Sequence, residues 1–381
     1  MKIGLLGNSD VCYNSLNYFM DCIEDALHSR GVHTQRITDA ANISYTQDGP
    51  WSAIIGINQY QPAARTQDGS YVLDSFQCPV FNILVDPPYY HHGKLEAHMD
   101  NLTLYLLDQG HVEYCKRYYP PFKHMEMVYL PGPSGSFKSY DEKEIDVLFT
   151  GTLDGEEAVI NRMTGSVDWA ERDNFFYLLI KTRLVHPEMT TLEAMLFLTK
   201  HMGIHGDDTL KMLMASLGAS SDLYLRMHYR REMIRTLVDA GIRVHVAGSG
   251  WEALYPVCPE NLVLEGTMDF QQTASLAANT KILLNSMLSF KNGIHDRVLT
   301  AMQNGAVCVT DSSSYIDAHF QNNHDIVLYD VKNMNMLPDI IRELLENPEK
   351  ARKIAQNGRQ KALSNFTWDN FVKKYILERL D

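Results

Sequence analysis

Short apolar runs recur along this chain, separated by polar stretches in which apolar residues return at helical spacing. Such runs are those of strands buried on both faces, and the intervening spacing is that of amphipathic helices. In the first part the runs are Lys2 to Leu6, Ser52 to Ile57, Val80 to Val85 and Leu102 to Leu107. In the second they are Asp146 to Thr150, Ile242 to Ala247, Asn261 to Leu264, Lys281 to Leu284, Ala306 to Val309 and Asp325 to Leu328. Helices are predicted from the first turn through about Leu27, and over Tyr229 to Asp239, Phe270 to Ala278 and Ile294 to Asn304. Three more close the chain at Met336 to Glu346, Glu349 to Leu363 and Trp368 to Arg379. In the stretch from Ile294, the residues Ile294, Val298, Ala301 and Met302 share one face, and Asn304-Gly305 stops the helix. Strands alternating with helices predict an α/β protein with parallel sheets.

Breaks in the pattern divide the chain. The prolines of Asp86-Pro87-Pro88-Tyr89-Tyr90-His91-His92 predict neither helix nor central strand there. Pro131 to Ser136 reads as a linker. Residues 156–227 are rich in Leu and Met and read as a helical insertion. The expected organisation is an N-terminal Rossmann-like domain over 1–135 and a C-terminal one over 136–365 that carries the insertion. A last helix over 366–381 is expected to pack back toward the first domain.

Length and composition narrow the possibilities. With 381 residues, 45% of them hydrophobic, the chain can build two cores. A formal net charge of -13 argues against broad nucleic-acid binding, which needs many cationic phosphate contacts. Six cysteines without a CxxC pair read as thiols of a reducing, cytoplasmic compartment, and no metal site is suggested. The N-terminal residues read as a first strand, and no apolar run approaches the ~18 residues of a membrane span.

Ligands of open parallel sheets bind beyond the carboxyl ends of the strands, where helix N-termini present N–H groups and a positive dipole end. Arg297, in the first turn of a helix, and Lys291, in the loop before it, are candidate anion-binding cations. Gly151-Thr152 and Gly248-Ser249-Gly250 each follow a strand, where backbone N–H groups could cradle phosphate. Gly4 and Gly7 do not complete a G-x-G-x-x-G fingerprint, which lowers an oxidoreductase reading. His91 and His92, with Asp86 nearby to orient one of them, and Asp10 are candidates for a general base. His201 and His205 lack the H-E-x-x-H pattern of a metal helix.

The order His295-Asp296-Arg297-Val298-Leu299-Thr300-Ala301-Met302-Gln303-Asn304-Gly305-Ala306-Val307, followed by Asp311 and Tyr329, resembles the spore-maturation CgeB-like group of GT-B glycosyltransferases. The resemblance runs over about Asp146 to Phe371 outside the insertion. It takes in Gly151, the helix with Arg230 and Arg231, the Gly248-Ser249-Gly250-Trp251 turn, Asn285 and Asn365-Phe366-Thr367-Trp368. It implies two Rossmann-like domains facing a cleft and transfer of a sugar to an acceptor glycan, cell-envelope polymer or protein. The donor it implies is a UDP-, GDP- or dTDP-linked sugar, bound as substrate, with no other cofactor and no obligatory metal. The donor side it implies comprises Gly151, Thr152, Arg230, Gly248, Ser249, Gly250, Trp251, Asn285, Lys291, Asn292, Gly293, Arg297 and Thr300. Many GT-B enzymes carry two glutamates eight positions apart across this loop and helix; this chain has Asn292 and Thr300. That departure keeps open a nucleotide-sugar epimerase or hydrolase on the same fold, or a non-catalytic nucleotide-sugar-binding or assembly protein.

Overall fold

The structure, a computed structural model, describes residues 1–7, 13–37, 50–58, 65, 69–72, 77–96, 100–120, 122–154 and 170–380. The chain divides into two units. The first comprises Met1–Pro131, Asp269–Gln271 and Asn365–Asp381, and the second Gly132–Met268 and Gln272–Ser364.

The first unit is built on a parallel sheet in the order β2-β1-β3-β4-β5-β6. Its strands are β1 (Lys2–Leu6), β2 (His33–Ile37), β3 (Ala53–Ile57), β4 (Val80–Leu84), β5 (Leu102–Leu106) and β6 (His124–Met127). The sequence pattern shows neither β2 nor β6. Both are edge strands, with the half-polar sequences HTQRI and HMEM, so neither forms an apolar run. Helices α1 (Ser15–Ser29) and α2 (Gln109–Tyr118) belong to this unit, α2 starting at Asp108, whose carboxylate accepts from the Gly110 N–H at 2.7 Å. The terminal helix Trp368–Tyr375 joins it too. Arg30 reaches the Asp369 carboxylate through Nε at 2.7 Å and Nη2 at 2.6 Å, and the Tyr105 hydroxyl donates to the Tyr375 carbonyl.

The prolines after β4 do not exclude helix. Pro88–His91 is a 3₁₀ turn and His92–Leu95 a further helical turn. Proline is tolerated in a first turn because the N–H it lacks has no partner within the helix.

The second unit holds a parallel sheet in the order β12-β11-β10-β7-β8-β9. These strands are β7 (Ile145–Thr150), β8 (Val244–Ala247), β9 (Leu262–Gly266), β10 (Thr280–Leu284), β11 (Val307–Thr310) and β12 (Val327–Leu328). Between β7 and β8 lie α3 (Ala170–Val185), α4 (Thr191–His201), α5 (Asp207–Leu213), a π turn at Met214–Gly218 and α6 (Ala219–Asp239). The expected end of the insertion near Met227 falls inside α6. The insertion therefore runs on, without a break, into the helix that carries Arg230.

Helices α7 (Phe270–Ala278) and α8 (Asp296–Gln303) follow β9 and β10. Lys143, 3% exposed, serves both C-termini: its ammonium donates to the carbonyls of Ala278 at 2.5 Å and Asn304 at 2.8 Å. Pro131 to Pro133 is buried, and Gly132 lies so close to α8 that a Cβ there would stand 2.1 Å from the Thr300 hydroxyl. Close approach, more than flexibility, explains that glycine.

Candidate functional site

In the second sheet β8 and β9 lie on one side of β7, and β10, β11 and β12 on the other. The direction of winding reverses between β7 and β10, and the carboxyl ends at such a switch point leave a crevice for ligand. Arg297 bridges these two strand ends. Its Nε donates to Oγ1 of Thr150, the last residue of β7, at 3.1 Å, and its Nη1 donates to Oδ1 of Asn285, just beyond β10, at 2.7 Å. Nη2 makes no hydrogen bond among the described residues. The placement follows from the helix start: Arg297 is in the first turn of α8, and its own N–H donates to Nδ1 of the N-cap residue His295 at 3.1 Å. The same Nδ1 lies 2.9 Å from Oδ1 of Asp296; burial lowers the His295 pKa and Asp296 opposes that shift.

Two more guanidinium groups join it. Arg230 of α6 donates through Nη1 to the Thr152 carbonyl at 2.5 Å. The Arg297 and Arg230 guanidinium carbons lie 5.1 and 5.6 Å from the centre of the Phe149 ring. Arg226, one helical turn before Arg230, lies within electrostatic reach of Arg297 and His295. Arg297 makes no ion pair among the described residues, although the Asp296 charge partly opposes the effect of its burial. Arg226 and Phe149 were not singled out from the sequence. The available signal was the four-residue spacing of Arg226 from Arg230 on one helix.

The glycine turns have a different task from the expected one. The Gly151 N–H donates to the Ala247 carbonyl at 2.7 Å, the Gly248 N–H to Gly266 at 2.9 Å, and the Leu153 N–H to Ser249 at 2.9 Å. The two turns are thus stitched together, and the Gly151 and Gly248 N–H groups are spent on backbone rather than offered to phosphate. Their close contact requires glycine: a Cβ at Gly250, where φ is +87°, would stand 1.8 Å from the Leu153 carbonyl oxygen. Gly151 leaves room for the Arg230 guanidinium, 3.2 Å from where its Cβ would be. Trp251 is buried, donates from Nε1 to the Gly151 carbonyl at 2.7 Å and packs edge-on to Phe149.

The other expected donor contacts divide between buried side chains and the lining of a cavity. Thr300 is buried and its hydroxyl donates to the Asp296 carbonyl at 2.9 Å. Asn285 is wholly buried. Lys291 pairs with the buried Asp311 carboxylate at 3.3 Å, Asn292 accepts from the Ser314 hydroxyl at 3.0 Å, and the Gly293 carbonyl accepts from Ser313 at 2.6 Å. Lys291 and Asn292 line a cavity of about 460 Å³ with Thr190 and Glu193 of the insertion and with Asp311 and Tyr329.

In the first unit the winding reverses between β1 and β3. Asn58, just after β3, donates from Nδ2 to Asp86 at 2.9 Å and accepts from the Val85 N–H at 2.9 Å, holding the end of β4. His91 is buried. Burial lowers its pKa, Asp86 works against that shift and Lys94 adds to it. His92 is turned to structural partners, with Nδ1 2.7 Å from the Tyr119 hydroxyl and Nε2 3.8 Å from Glu96. Asp10 lies outside the described residues.

Residues 228–376 match the family described as Glycosyl transferase-like. No curated protein matches the chain. Among solved structures, HepE of Anabaena in complex with UDP and glucose matches with a TM-score of 0.56 at 11% identity, over 99% of this chain and 99% of that one. AviGT4, a glycosyltransferase involved in avilamycin A biosynthesis, gives 0.54 at 9% identity over 100% and 97%. Sucrose-phosphate synthase from Thermosynechococcus elongatus gives 0.53 at 10% identity over 100% and 99%. The protein therefore has the two-domain α/β fold of GT-B glycosyltransferases, and its residues 228–376 are similar to the Glycosyl transferase-like family.

Proposed function

We propose that the protein moves a sugar from a nucleoside diphosphate sugar, bound over the carboxyl ends of β7 and β10, to a hydroxyl of a glycan, cell-envelope polymer or protein. The observation that carries this reading is Arg297, fixed across the switch point by Thr150 and Asn285, with no hydrogen bond to Nη2 among the described residues. In the reaction the bond from the anomeric carbon to the diphosphate oxygen breaks, and its electron pair leaves with the diphosphate. Negative charge grows beside Arg297, with Arg226 and Arg230 close by, and preset cations lower the barrier without reorganising. The acceptor oxygen forms the new bond and gives up its proton. Among the candidates for taking that proton, His91 has a pKa lowered by burial, which leaves the ring unprotonated and able to accept while making it a weaker base. In this scheme the nucleotide sugar is substrate and no further cofactor takes part. The complex of HepE with UDP supports a uridine nucleotide as the first donor to try, with GDP- and dTDP-linked sugars as the alternatives. The residue order from His295 to Val307 favours the CgeB-like group within the fold. Among the described residues no helix is long and apolar enough to cross a membrane, and the thiols at Cys22, Cys78, Cys115, Cys258 and Cys308 are free, which suits a cytoplasmic setting.

One observation favours a second reading, a nucleotide-sugar-binding protein without turnover: positions 292 and 300 supply no carboxylate, and Thr300 faces away from solvent. A thermal-shift panel of UDP-, GDP- and dTDP-sugars, followed by mass spectrometry of candidate acceptors, separates the two. Stabilisation with sugar transfer supports the transferase. Stabilisation without consumption of donor supports the binding protein, and no stabilisation by any nucleotide rejects both.

A further inference from the structure

Asn285 follows β10 and is wholly buried, so it cannot touch a ligand directly. Its hydrogen bonds nonetheless converge on the residue that can. The Tyr329 hydroxyl donates to its carbonyl at 3.1 Å and its own N–H donates to Val309 at 2.9 Å, which pins the backbone. Its side chain sits in a directional chain. The Thr310 hydroxyl donates to the Asp311 carbonyl at 3.0 Å, so its oxygen is left to accept from Nδ2 of Asn285 at 3.0 Å. That sets the amide so that Oδ1 faces Arg297, a group that can only donate, at 2.7 Å.

A carboxylate in this place would grip the guanidinium more strongly, but it would also form a close ion pair and cancel the charge. A neutral amide orients without neutralising. We propose that Asn285 is a positioning residue whose uncharged acceptor holds Arg297 across the switch point while leaving its positive charge for the leaving diphosphate. The inference rests on the nucleotide-sugar reading above and adds the reason an amide stands at this position. It also moves Asn285 from a donor contact to a residue acting through Arg297.

The test is Asn285→Asp, nearly isosteric, measured for melting temperature and for affinity toward UDP, GDP and dTDP by calorimetry, alone and combined with Arg297→Ala. The expected result is a melting temperature within about 3 °C of the wild type's, the new ion pair with Arg297 offsetting the lost donation to Thr310, with affinity at least about tenfold weaker, as for loss of a charge-assisted contact. In the Arg297→Ala background the same substitution should change affinity less than about twofold, because the two act as one unit. A merely structural role would lower stability and affinity together. Wild-type affinity in Asn285→Asp, parallel losses of stability and affinity, or a full additional loss on top of Arg297→Ala overturns the proposal and leaves the transferase reading standing. Failure of the wild type to bind any of the three diphosphates overturns both.

Discussion

Within the insertion a buried ion pair ties its first helix to the helix that carries Arg230, and removing half of it should have a large local effect. Arg183 of α3 and Asp222 of α6 have side chains 1% and 0% exposed. The guanidinium donates to the Asp222 carboxylate and, at 2.6 Å, to the Thr191 hydroxyl at the start of α4; that hydroxyl also donates to Asp222. The second terminal nitrogen reaches the Leu288 carbonyl, in the loop between β10 and α8, at 3.4 Å. Asp222→Ala leaves a charged guanidinium in a dry site, which costs roughly 3–5 kcal/mol. Replacing both partners by apolar residues, as in Arg183→Met with Asp222→Leu, removes the stranded charge and should cost less than either single change. Hydrogen exchange read by mass spectrometry on peptides from α3 and α4 reports local opening without requiring all-or-none unfolding of both units. The expected acceleration in Asp222→Ala is about a hundredfold to a few thousandfold. Less than about fivefold, under ~1 kcal/mol, would refute the claim that this pair locks the insertion, as would a double variant worse than the sum of the singles.

Two glycines in the second unit separate backbone conformation from crowding. Gly241 has φ +81° and nothing within 4 Å of a Cβ, so Gly241→Ala should cost about 1–2 kcal/mol. Gly250→Ala adds the 1.8 Å collision with Leu153 and should exceed about 3 kcal/mol; equal denaturation midpoints for the two variants would contradict the stitched turns. Lys143 predicts a pH dependence. Burial pushes its ammonium down to about 8 from an ordinary 10.5, so between those values the unfolded chain binds more protons than the folded one. Stability should therefore rise with pH across that window by at most about 3 kcal/mol, with the full cost of the buried charge present below pH 8. The difference between denaturation curves of the wild type and Lys143→Met isolates this contribution; equal slopes from pH 8 to 10.5 would exclude it.

What could be read from the residues follows from how local each cause is. Strands β1, β3, β4, β7 and β10 are largely apolar because neighbours cover both faces, and a run such as AIIGI shows that directly. The edge strand HTQRI reads as loop, because only pairing to β1 makes it a strand. Arg297 was legible, since a cation in the first turn of a helix that follows a strand needs only local structure to face the sheet end. The pairing of Lys291 was not, because the Asp311 that engages it comes from the next strand end. Thr300 resembles a sugar-contacting position until Gly132, far away in sequence, closes over it. The glycine turns announced a tight backbone but not its purpose, which lies in each turn's contact with the other.

The central claim is that Arg297, held by Thr150 and Asn285, receives the diphosphate of a nucleotide sugar. Titration calorimetry of UDP, GDP and dTDP into the wild type and Arg297→Ala, at one fixed salt concentration, tests it most directly. At least one diphosphate should bind the wild type and bind Arg297→Ala about ten- to a hundredfold more weakly, the ~1.5–3 kcal/mol of a charge-assisted contact. Equal affinity for the two proteins, or no binding of any diphosphate to the wild type, would contradict it.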